Sequence, residues 1–424
     1  MTEPTDPSYA KEIADGYRKH LSRGRAALAE ATGNLVEVAS DGAYVWDSNG
    51  RPYLDCGGYG VFILGHRHPK VVEAVSAQLR QHPLSTRLLL DPVALRAAEA
   101  LVGTTPPGLD YVHFVNSGAE ANEAAIKLAR AHGKTNLVST HGGYHGKTMG
   151  ALSLTARALY QDPFRPLLPD VHHVPFGDAE ALRNLLAQTP DCCVVLEPVQ
   201  GENGVILPPP GYLREVENAC RAHNALLVLD EVQTGLGRLG TWWGADREHV
   251  VPDILLVGKG LSGGVIPVAA MVATATAYAP FNRDPFIHTS TFGASPIACA
   301  AAEAAVETLW TEGLVERGAA IGARLIDGLD AILTDTCPHL VKEVRGAGLL
   351  IGIELIDERI AGEFVLELVQ AGLLVNHSLN SHRVIRLTPA ATLSDDDIDL
   401  LFARFHQAAT SIAATHTATV ERNH

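Results

Sequence analysis

Short apolar segments alternate with helical segments over residues 70 to 300, and this alternation constrains the fold more than any other feature. Each apolar segment is followed by a loop and then by a stretch with helical periodicity. Apolar strands separated by helices are typical of a mainly parallel sheet that is covered on both faces. We therefore predict an α/β fold with a large, mainly parallel sheet. Its predicted strands are Tyr111–Val115, Thr135–Ser139, Cys193–Leu196, Leu226–Leu229 and Ile254–Val257.

The residues before this region predict a helical arm and a small meander. The arm spans Tyr9 to Leu28, and two runs with an alternating apolar pattern follow it, Leu35–Val38 and Ala43–Asp55. The turn signal Asp47-Ser-Asn-Gly50 interrupts the second run, which predicts antiparallel strands. We assign the arm and the meander, residues 1–69, to a small domain.

The residues after this region predict long helices and a C-terminal domain. An alanine-rich stretch from Pro296 to Leu333 is broken near Gly313, and strands are predicted at Leu349–Leu355 and Val384–Leu387. We place a large domain at residues 70–310 and a small C-terminal α/β domain at residues 311–424. A chain of 424 residues, 46% of them hydrophobic, is long enough to form both cores.

The charge and the cysteines of the chain exclude several classes of protein. With 33 Lys+Arg against 48 Asp+Glu, the formal net charge is −15. Nucleic acids and anionic membranes are bound through basic patches, so we expect neither partner. The six cysteines show no C-x-x-C spacing, which indicates buried thiols in a reducing compartment. No secretory h-region and no apolar run of roughly 20 residues is present, so we expect a cytoplasmic enzyme.

Glycines surround a lysine that follows one predicted strand, in Gly258-Lys259-Gly260. A surface lysine needs no glycines beside it, whereas a lysine that bonds to an aldehyde needs close approach by a bulky partner. Asp230 likewise stands at the end of a predicted strand, where burying a carboxylate is costly unless a group such as a pyridinium N–H pairs with it. Together these residues suggest pyridoxal phosphate (PLP) chemistry. Each alone also suits a surface lysine or a salt-bridged aspartate.

Two loops add candidate binding groups. Ser117-Gly118-Ala119 lies between a strand and a helix, and the free N–H groups of a helix start suit a phosphate; an ordinary serine N-cap is the alternative. Tyr144 stands on a glycine-rich loop, where its ring could stack on a flat cofactor. His141 and His145 have the i, i+4 spacing of a metal pair, but the glycines between them argue against a helix. We therefore predict no metal site.

Taken together, these segments resemble the class III (ω-amino acid) aminotransferases, which are PLP-dependent enzymes of fold type I, the aspartate-aminotransferase fold. The resemblance covers about Ala43 to Leu400, and seven motifs occur in the order of the family. The motifs are Asn116-Ser-Gly-Ala-Glu-Ala-Asn-Glu-Ala, Tyr144-His-Gly-Lys-Thr, Leu196-Glu-Pro-Val-Gln-Gly-Glu202, Leu229-Asp-Glu-Val-Gln-Thr-Gly235, Gly258-Lys-Gly-Leu-Ser-Gly-Gly264, His288-Thr-Ser-Thr-Phe-Gly293 and Val384-Ile-Arg-Leu-Thr-Pro389.

The resemblance implies catalytic roles for a few of these residues. Lys259 bonds covalently to PLP and then carries the proton between the amine carbon and the cofactor. Asp230 pairs with the pyridine nitrogen. Arg386 matches the family arginine that holds an α-carboxylate, and Glu202 matches the glutamate that covers this arginine when the amine has no carboxylate.

The resemblance also implies how PLP is held. Ser117, Gly118 and Ala119 cradle its phosphate, and Gln233 hydrogen-bonds its phenolic oxygen. Tyr144 stacks on its ring, and His145 belongs to the same set of cofactor-binding residues. Thr291 reaches the phosphate from the neighbouring subunit. A homodimer with shared active sites is therefore the expected unit, and two dimers could form a tetramer.

Features outside these motifs bear on the substrate. Lys147 stands where acetylornithine and ornithine enzymes carry an arginine for a substrate carboxylate. A lysine cannot form the same bidentate contact, which argues against a donor with a carboxylate at that end. The segments Leu54–Pro69, Val205–Leu213 and Asp284–Phe292 are most similar to putrescine aminotransferases. Tyr59 matches a substrate-contact position, and the apolar residues after it would line a slot for a methylene chain. The alternative is that this segment only packs the meander.

The predicted function is the transfer of an amino group by a ping-pong mechanism. A terminal primary amine, such as a putrescine-like diamine, is the donor, and 2-oxoglutarate is the acceptor that becomes glutamate. One alternative is an ornithine, lysine or GABA donor, and another is an amine-forming enzyme of a specialised biosynthetic pathway. An aminomutase, a decarboxylase and a regulatory PLP-binding protein are further alternatives.

Overall fold

The computed structural model of the chain describes residues 8–33 and 35–421. Its strands are β1 Glu37–Asp41, β2 Tyr44–Asp47, β3 Pro52–Asp55, β4 Leu109–Val115, β5 Asn136–Thr140, β6 Val171–Val174, β7 Cys192–Leu196, β8 Leu226–Asp230, β9 Ile254–Val257, β10 Ala269–Thr274, β11 Val341–Ala347, β12 Leu350–Leu355, β13 Leu373–Leu374, β14 Asn376–Ser378 and β15 Ser381–Leu387. Its α-helices are α1 Tyr9–His20, α2 Arg23–Ala31, α3 Pro69–Gln81, α4 Pro92–Val102, α5 Gly118–Ala131, α6 Met149–Leu154, α7 Ala158–Gln161, α8 Ala179–Gln188, α9 Tyr212–Ala222, α10 Ala275–Arg283, α11 Pro296–Thr311, α12 Leu314–Thr336, α13 Glu358–Gln370 and α14 Asp395–Glu421.

The large sheet is parallel-rich, as predicted. Within the described residues it has seven strands in the order β4-β10-β9-β8-β7-β5-β6. All neighbours from β9 to β6 run parallel, whereas β10 runs antiparallel to both β9 and β4. The five predicted strands are present, with ends that differ by no more than two residues. The sequence analysis missed β6 and β10.

The central strands of this sheet are buried because helices cover both faces. Every residue of β7 and of β9 is buried, and this explains why these strands are apolar throughout instead of alternating. On one face, the alanine side of α5 packs against the sheet with Ala121, Ala124 and Ala125 fully buried. The small side chains bring the helix start close to the carboxyl ends of the strands.

The N-terminal arm differs from the prediction. Instead of one helix from Tyr9 to Leu28, α1 ends at His20 and α2 begins at Arg23. Ser22 adopts an extended conformation between them, and its side chain accepts a hydrogen bond from Arg25 N. An N-cap of this kind starts a new helix, and its serine cannot continue the previous one.

The meander forms as predicted and gains a fourth strand from the distant C-terminal region. Strands β1, β2 and β3 are antiparallel neighbours, and β13 pairs with β3 in the parallel direction. The first and last parts of the chain therefore share one sheet.

A third sheet completes a small α/β domain that is separate from the large sheet. Its order is β11-β12-β15-β14, with antiparallel neighbours throughout. The predicted strands correspond to β12 and β15, whereas β11 and β14 were missed. The predicted helix break is confirmed, because Gly313 separates α11 from α12 with φ +60°. The domain boundaries at residues 69/70 and 310/311 stay predictions.

Over the described residues, no helix combines the length and the apolar character needed to cross a membrane.

Candidate active site

The carboxyl ends of four strands of the large sheet bring polar residues together at one edge. Ser117 follows β4, Glu197 follows β7, Asp230 ends β8 and Lys259 follows β9. Open parallel sheets bind ligands at this edge. A cavity of about 280 Å³, here called the active-site cavity, lies there. It is lined by Gly118, Ala119, Asn122, Tyr144, His145, Gly146, Lys147, Glu197, Glu202, Asp230, Val232, Gln233 and Lys259.

Lys259 reaches into this cavity from a strained turn. Its φ of +43° lies in the left-handed region, which is uncommon for a residue with a side chain. Burial lowers the pKa of the Lys259 ammonium; the carboxylate of Glu202 opposes this shift, and the guanidinium of Arg386 adds to it. A lysine with a lowered pKa is more often a neutral amine, which is the form that attacks an aldehyde.

The glycines beside Lys259 serve the packing of the protein, which corrects the reason given for them. A Cβ at Gly258 would lie 3.3 Å from Ala269 Cβ, and one at Gly260 would lie 3.1 Å from Ile63 Cγ2. Both distances are tighter than ordinary contacts between carbon atoms. The glycines therefore let the lysine turn pack closely against its neighbours, and a bulky partner is not needed to explain them.

Asp230 is buried and held by three donors. Its Oδ2 accepts hydrogen bonds from Asn122 Nδ2 at 2.9 Å and from His145 Nδ1 at 2.8 Å, and its Oδ1 accepts one from Val232 N at 3.2 Å. Burial alone would raise the pKa of Asp230, but the hydrogen bond and the charge of His145 and the bonds from Asn122 and Val232 outweigh it. The net pKa is lowered, so Asp230 is a carboxylate.

Glu197 is a cavity residue that the sequence analysis missed. Its Oε1 accepts a hydrogen bond from Tyr144 N at 2.9 Å. Burial raises the pKa of Glu197 to about 7; the cation of His145 opposes this shift, and the charge of Asp230 adds to it. The signal was its position directly after β7, which parallels the position of Asp230. Asn122 was also missed, because it lies inside α5 and resembles an ordinary helical residue.

The start of α5 forms a tight, positively polarised wall of the cavity. Ser117 is its N-cap and accepts a hydrogen bond from Glu120 N at 3.2 Å. A Cβ at Gly118 would lie 2.8 Å from Val232 Cγ1, so only glycine fits there without a shift. The first N–H groups of a helix have no partner inside the helix. Gly118 and Ala119 both line the cavity and carry such groups.

Tyr144 and Lys147 form the outer part of the wall. Burial and the nearby Glu202 carboxylate raise the pKa of the Tyr144 phenol to about 12, so it stays neutral. The Lys147 ammonium lies 4.1 Å from the centre of the Tyr160 ring and 6.0 Å from that of the Tyr144 ring. A cation over an aromatic face is stabilised by the ring. The cavity therefore has a fixed positive charge at this end.

Glu202 and Arg386 form a buried ion pair, as predicted. Arg386 Nη1 lies 2.7 Å from Glu202 Oε1, and their side chains are 0% and 4% exposed. The orientation is not that of a hydrogen bond, so no nitrogen of the guanidinium has a hydrogen-bond partner among the described residues. Glu202 Oε2 instead accepts from Leu379 N at 3.0 Å. Arg386 thus retains free donors for a second anion.

The side chain of Gln233 contacts the backbone carbonyl of Tyr59. Gln233 lines the cavity, and its Nε2 donates to Tyr59 O at 3.4 Å. Its Oε1 is buried and has no hydrogen-bond partner in the part of the chain that the structure describes. Tyr59 has φ +53°, and its side chain is half exposed and outside the cavity lining. Phe62, which was expected to line a methylene slot, stacks on His66 with the ring centres 3.8 Å apart.

Thr291 is exposed and does not line the cavity of its own chain. The loop that carries it is tied to the large sheet, since Asn116 Nδ2 donates to Ser290 Oγ at 3.0 Å. This placement is compatible with a role in a neighbouring subunit, which stays a prediction.

The family model for class III aminotransferases matches residues 27–409. The chain is a class III aminotransferase. Its matched region includes every predicted site residue, from Tyr59 to Arg386.

Solved structures of several aminotransferases superpose on nearly the whole chain. Ornithine aminotransferase from Toxoplasma gondii is 31% identical with a TM-score of 0.90, and the match covers 97% of each chain. An (S)-enantioselective omega-transaminase from Thermomicrobium roseum is 28% identical with a TM-score of 0.87, over 95% of this chain and 99% of that one. Ornithine delta-aminotransferase from Plasmodium falciparum is also 28% identical, with a TM-score of 0.82 and the same coverage.

These findings confirm fold type I and the predicted PLP chemistry. The aminotransferase uses PLP and acts on amine and keto-acid substrates. The similarity does not single out the putrescine enzymes within the class, so that narrower resemblance stays a prediction.

Proposed function

We propose that this aminotransferase moves an amino group from a terminal primary amine to 2-oxoglutarate, and that both substrates use the active-site cavity in turn. The observation that carries the proposal is the Glu202–Arg386 ion pair beside Lys259. Arg386 offers free guanidinium N–H groups to an incoming carboxylate, and Glu202 covers this charge when the substrate has none. One cavity can therefore serve two substrates of different charge.

The residues of the cavity fit PLP. Its phosphate suits the start of α5, where Ser117, Gly118 and Ala119 combine free N–H groups with a surface that a larger residue would block. Asp230, held ionised by His145, is suited to a pyridine N–H group. Bound PLP withdraws electrons from the carbon that loses its proton.

The other polar side chains fit the remaining faces of the same ring. The buried, unpartnered Oε1 marks Gln233 as an amide free to reorient toward the phenolic oxygen. Tyr144 presents an aromatic face at the cavity wall.

Lys259 provides both the attachment point and the proton carrier. Its lowered pKa favours the neutral amine over the ammonium. Lys259 Nζ would hold PLP covalently and, when free, would be the basic group that removes and returns the proton. Glu202 contributes by orienting Arg386, and Arg386 orients the substrate carboxylate through charge-assisted hydrogen bonds.

Two donor candidates differ in the group that they carry at the end opposite the reacting amine. A putrescine-like diamine is the first candidate. Contrary to the expectation from the sequence, the position of the Lys147 ammonium favours a second candidate, because a cation at the cavity wall repels a second ammonium and attracts a carboxylate. A donor such as ornithine, with a carboxylate far from the reacting amine, fits that charge, and ornithine aminotransferases are among the similar structures.

A homodimer completes the proposed site. Thr291 lies on an exposed segment that also exposes Phe286 and Phe292 (84% and 57%). Leu88–Leu90 are similarly exposed. Apolar exposure on this scale is typical of an interface. A second copy covering this surface would bring Thr291 to the neighbouring phosphate site.

The test is the formation of glutamate from 2-oxoglutarate with a panel of donors. The panel comprises putrescine, cadaverine, ornithine, acetylornithine, lysine and GABA. A preference for diamines supports the first candidate, and a preference for ornithine or GABA supports the second. If no donor yields glutamate while PLP is bound, both candidates are wrong and an amine of a specialised biosynthetic pathway becomes the leading alternative.

A further inference from the structure

The tip of the hairpin between β14 and β15, Leu379–Asn380, touches Glu202 directly. We call these two residues the hairpin tip. Leu379 N donates to Glu202 Oε2 at 3.0 Å, and Asn380 N donates to Glu202 O at 2.8 Å. The Glu202 carboxylate is therefore shared: Oε1 faces Arg386, and Oε2 is held by the hairpin tip.

The opposite side of the hairpin tip is held by Tyr160, which lies in α7, and by Arg157, the residue before that helix. The Tyr160 hydroxyl donates to Leu379 O at 2.9 Å, and Arg157 Nη1 donates to Asn380 O. The Arg157 guanidinium also lies 5.5 Å from the centre of the Tyr160 ring. The Leu379 carbonyl belongs to the same peptide group as Asn380 N, so Tyr160 fixes a peptide group whose N–H donates to Glu202 O. Arg157 fixes the next peptide group, and together the two contacts anchor Leu379, whose N–H holds Glu202 Oε2.

This arrangement links Tyr160 and Arg157 to the pairing of Arg386 with Glu202. Glu202 can uncover Arg386 for a substrate carboxylate only when its Oε2 leaves Leu379 N. The contacts of Tyr160 and Arg157 with the hairpin tip keep Leu379 N in place. They thereby stabilise the state in which Glu202 is paired with Arg386. A looser tip would make the uncovered state more populated.

We propose that Tyr160 and Arg157 are positioning residues that set, through the hairpin tip, how readily Glu202 leaves Arg386. They thereby set the balance between substrates with an α-carboxylate and amines without one. The inference rests on the proposed function of the Glu202–Arg386 pair. Neither residue lines the active-site cavity.

The variant Tyr160→Phe tests this in the holoenzyme. It removes the hydroxyl but keeps the ring beneath the Lys147 ammonium, so the far end of the donor site is preserved. We expect the KM for 2-oxoglutarate to fall about two- to tenfold, the range set by the loss of one hydrogen bond that favours the paired state. The KM for the best donor without an α-carboxylate should stay the same or rise.

A structural role alone predicts a different pattern. General damage would raise both KM values together and lower kcat. Tyr212→Phe is the control, because it removes the hydroxyl of a buried tyrosine that does not line the active-site cavity and is far from the hairpin in the sequence. Arg157→Lys is the second variant if Tyr160→Phe does not fold. It should likewise lower the KM for 2-oxoglutarate relative to the KM for the donor without an α-carboxylate. Equal shifts of both KM values overturn the inference.

A double-mutant cycle with Glu202→Ala separates this inference from the proposed function. If Tyr160 acts through Glu202, Tyr160→Phe has no further effect in the Glu202→Ala background. If Glu202→Ala changes the KM for 2-oxoglutarate but Tyr160→Phe does not, the inference is wrong and the proposed function stands. If Glu202→Ala changes neither KM, both are wrong.

Discussion

His145 Nδ1 lies 2.8 Å from Asp230 Oδ2, and both side chains are buried beneath the active-site cavity. The contact stabilises two charges at once. It lowers the pKa of Asp230 despite burial, and it raises the pKa of His145 despite burial. The pair thus keeps a carboxylate in a place where desolvation alone would protonate it.

The pair predicts a pH dependence of stability in the apoenzyme. The raised pKa of His145 contributes stability that is complete below the unfolded value of about 6.5 and is lost as the pH rises through the folded value. The lowered pKa of Asp230 contributes stability above about 3.9 that is lost only in stronger acid. We expect wild-type protein to lose Tm relative to His145→Asn as the pH rises above about 6.5. His406→Asn, at an exposed position, is the control. A constant difference in Tm over this range would contradict the coupling.

The buried Glu197 carboxyl also predicts that the stability of the apoenzyme falls as the pH rises, for a different reason. Burial raises the pKa of Glu197 to about 7, so folding must take up a proton between the unfolded value of about 4.5 and pH 7. Wild-type apoenzyme should therefore lose up to about 3 kcal/mol relative to Glu197→Gln over this range, and little more above it. Urea unfolding at pH 5, 6, 7 and 8 measures the difference. Glu307→Gln is the surface control, and parallel curves for wild type and Glu197→Gln would refute the prediction.

Replacing Lys259 by alanine should reduce transamination by more than about 10³-fold, because both the attachment of PLP and the proton carrier are lost. Folding should be preserved, since the change removes an amine whose burial is unfavourable. Mass spectrometry after reduction with borohydride should find PLP attached to the wild type and none attached to Lys259→Ala. Lys342→Ala, on the surface, should retain both properties. Substantial residual turnover would remove Lys259 from its assigned role.

Arg386→Lys should raise the KM for 2-oxoglutarate about 10- to 100-fold, because one ammonium replaces a planar pair of donors to a carboxylate. The KM for a donor without an α-carboxylate should change much less. Steady-state kinetics with both substrates varied gives the two values. An equal increase in both would show that Arg386 only supports the shape of the cavity.

Hybrid dimers test the proposed role of Thr291. Thr291→Ala alone should bind PLP weakly, and Lys259→Ala alone should be inactive. Mixing the two variants gives hybrids in which one site has Lys259 of one subunit and Thr291 of the other. Activity should therefore reappear on subunit exchange, up to half that of wild type per hybrid dimer. No recovery despite exchange would place Thr291 in its own site or outside any site.

The sequence predicted the candidate site well because parallel strands end at one edge. Asp230 and Lys259 follow adjacent strands, so their proximity follows from the strand order alone. The pattern of short apolar strands gave β7, β8 and β9 nearly to the residue.

Other features could not be predicted because they depend on contacts between distant segments. Strand β10 is alanine-rich and has a weak strand propensity, and pairing with β4 and β9 overrides it. Tyr160 and Arg157 have no local pattern that marks them, because their contacts lie on a hairpin more than 200 residues away. The same holds for Phe62, whose stacking on His66 was not visible in the apolar run.

The parallel pairing of β13 with β3 has a consequence for biosynthesis. Leu54 N and Cys56 N donate to Gly372 O and Leu374 O. One edge of β3 therefore stays unpaired until β13 has left the ribosome, long after β3 itself. At ordinary rates of translation the delay is roughly 15 to 60 s. During that time β3 presents an open edge on which nascent chains can associate. We therefore expect the nascent chain to depend on chaperones most before β13 pairs with β3, and less while the large sheet forms.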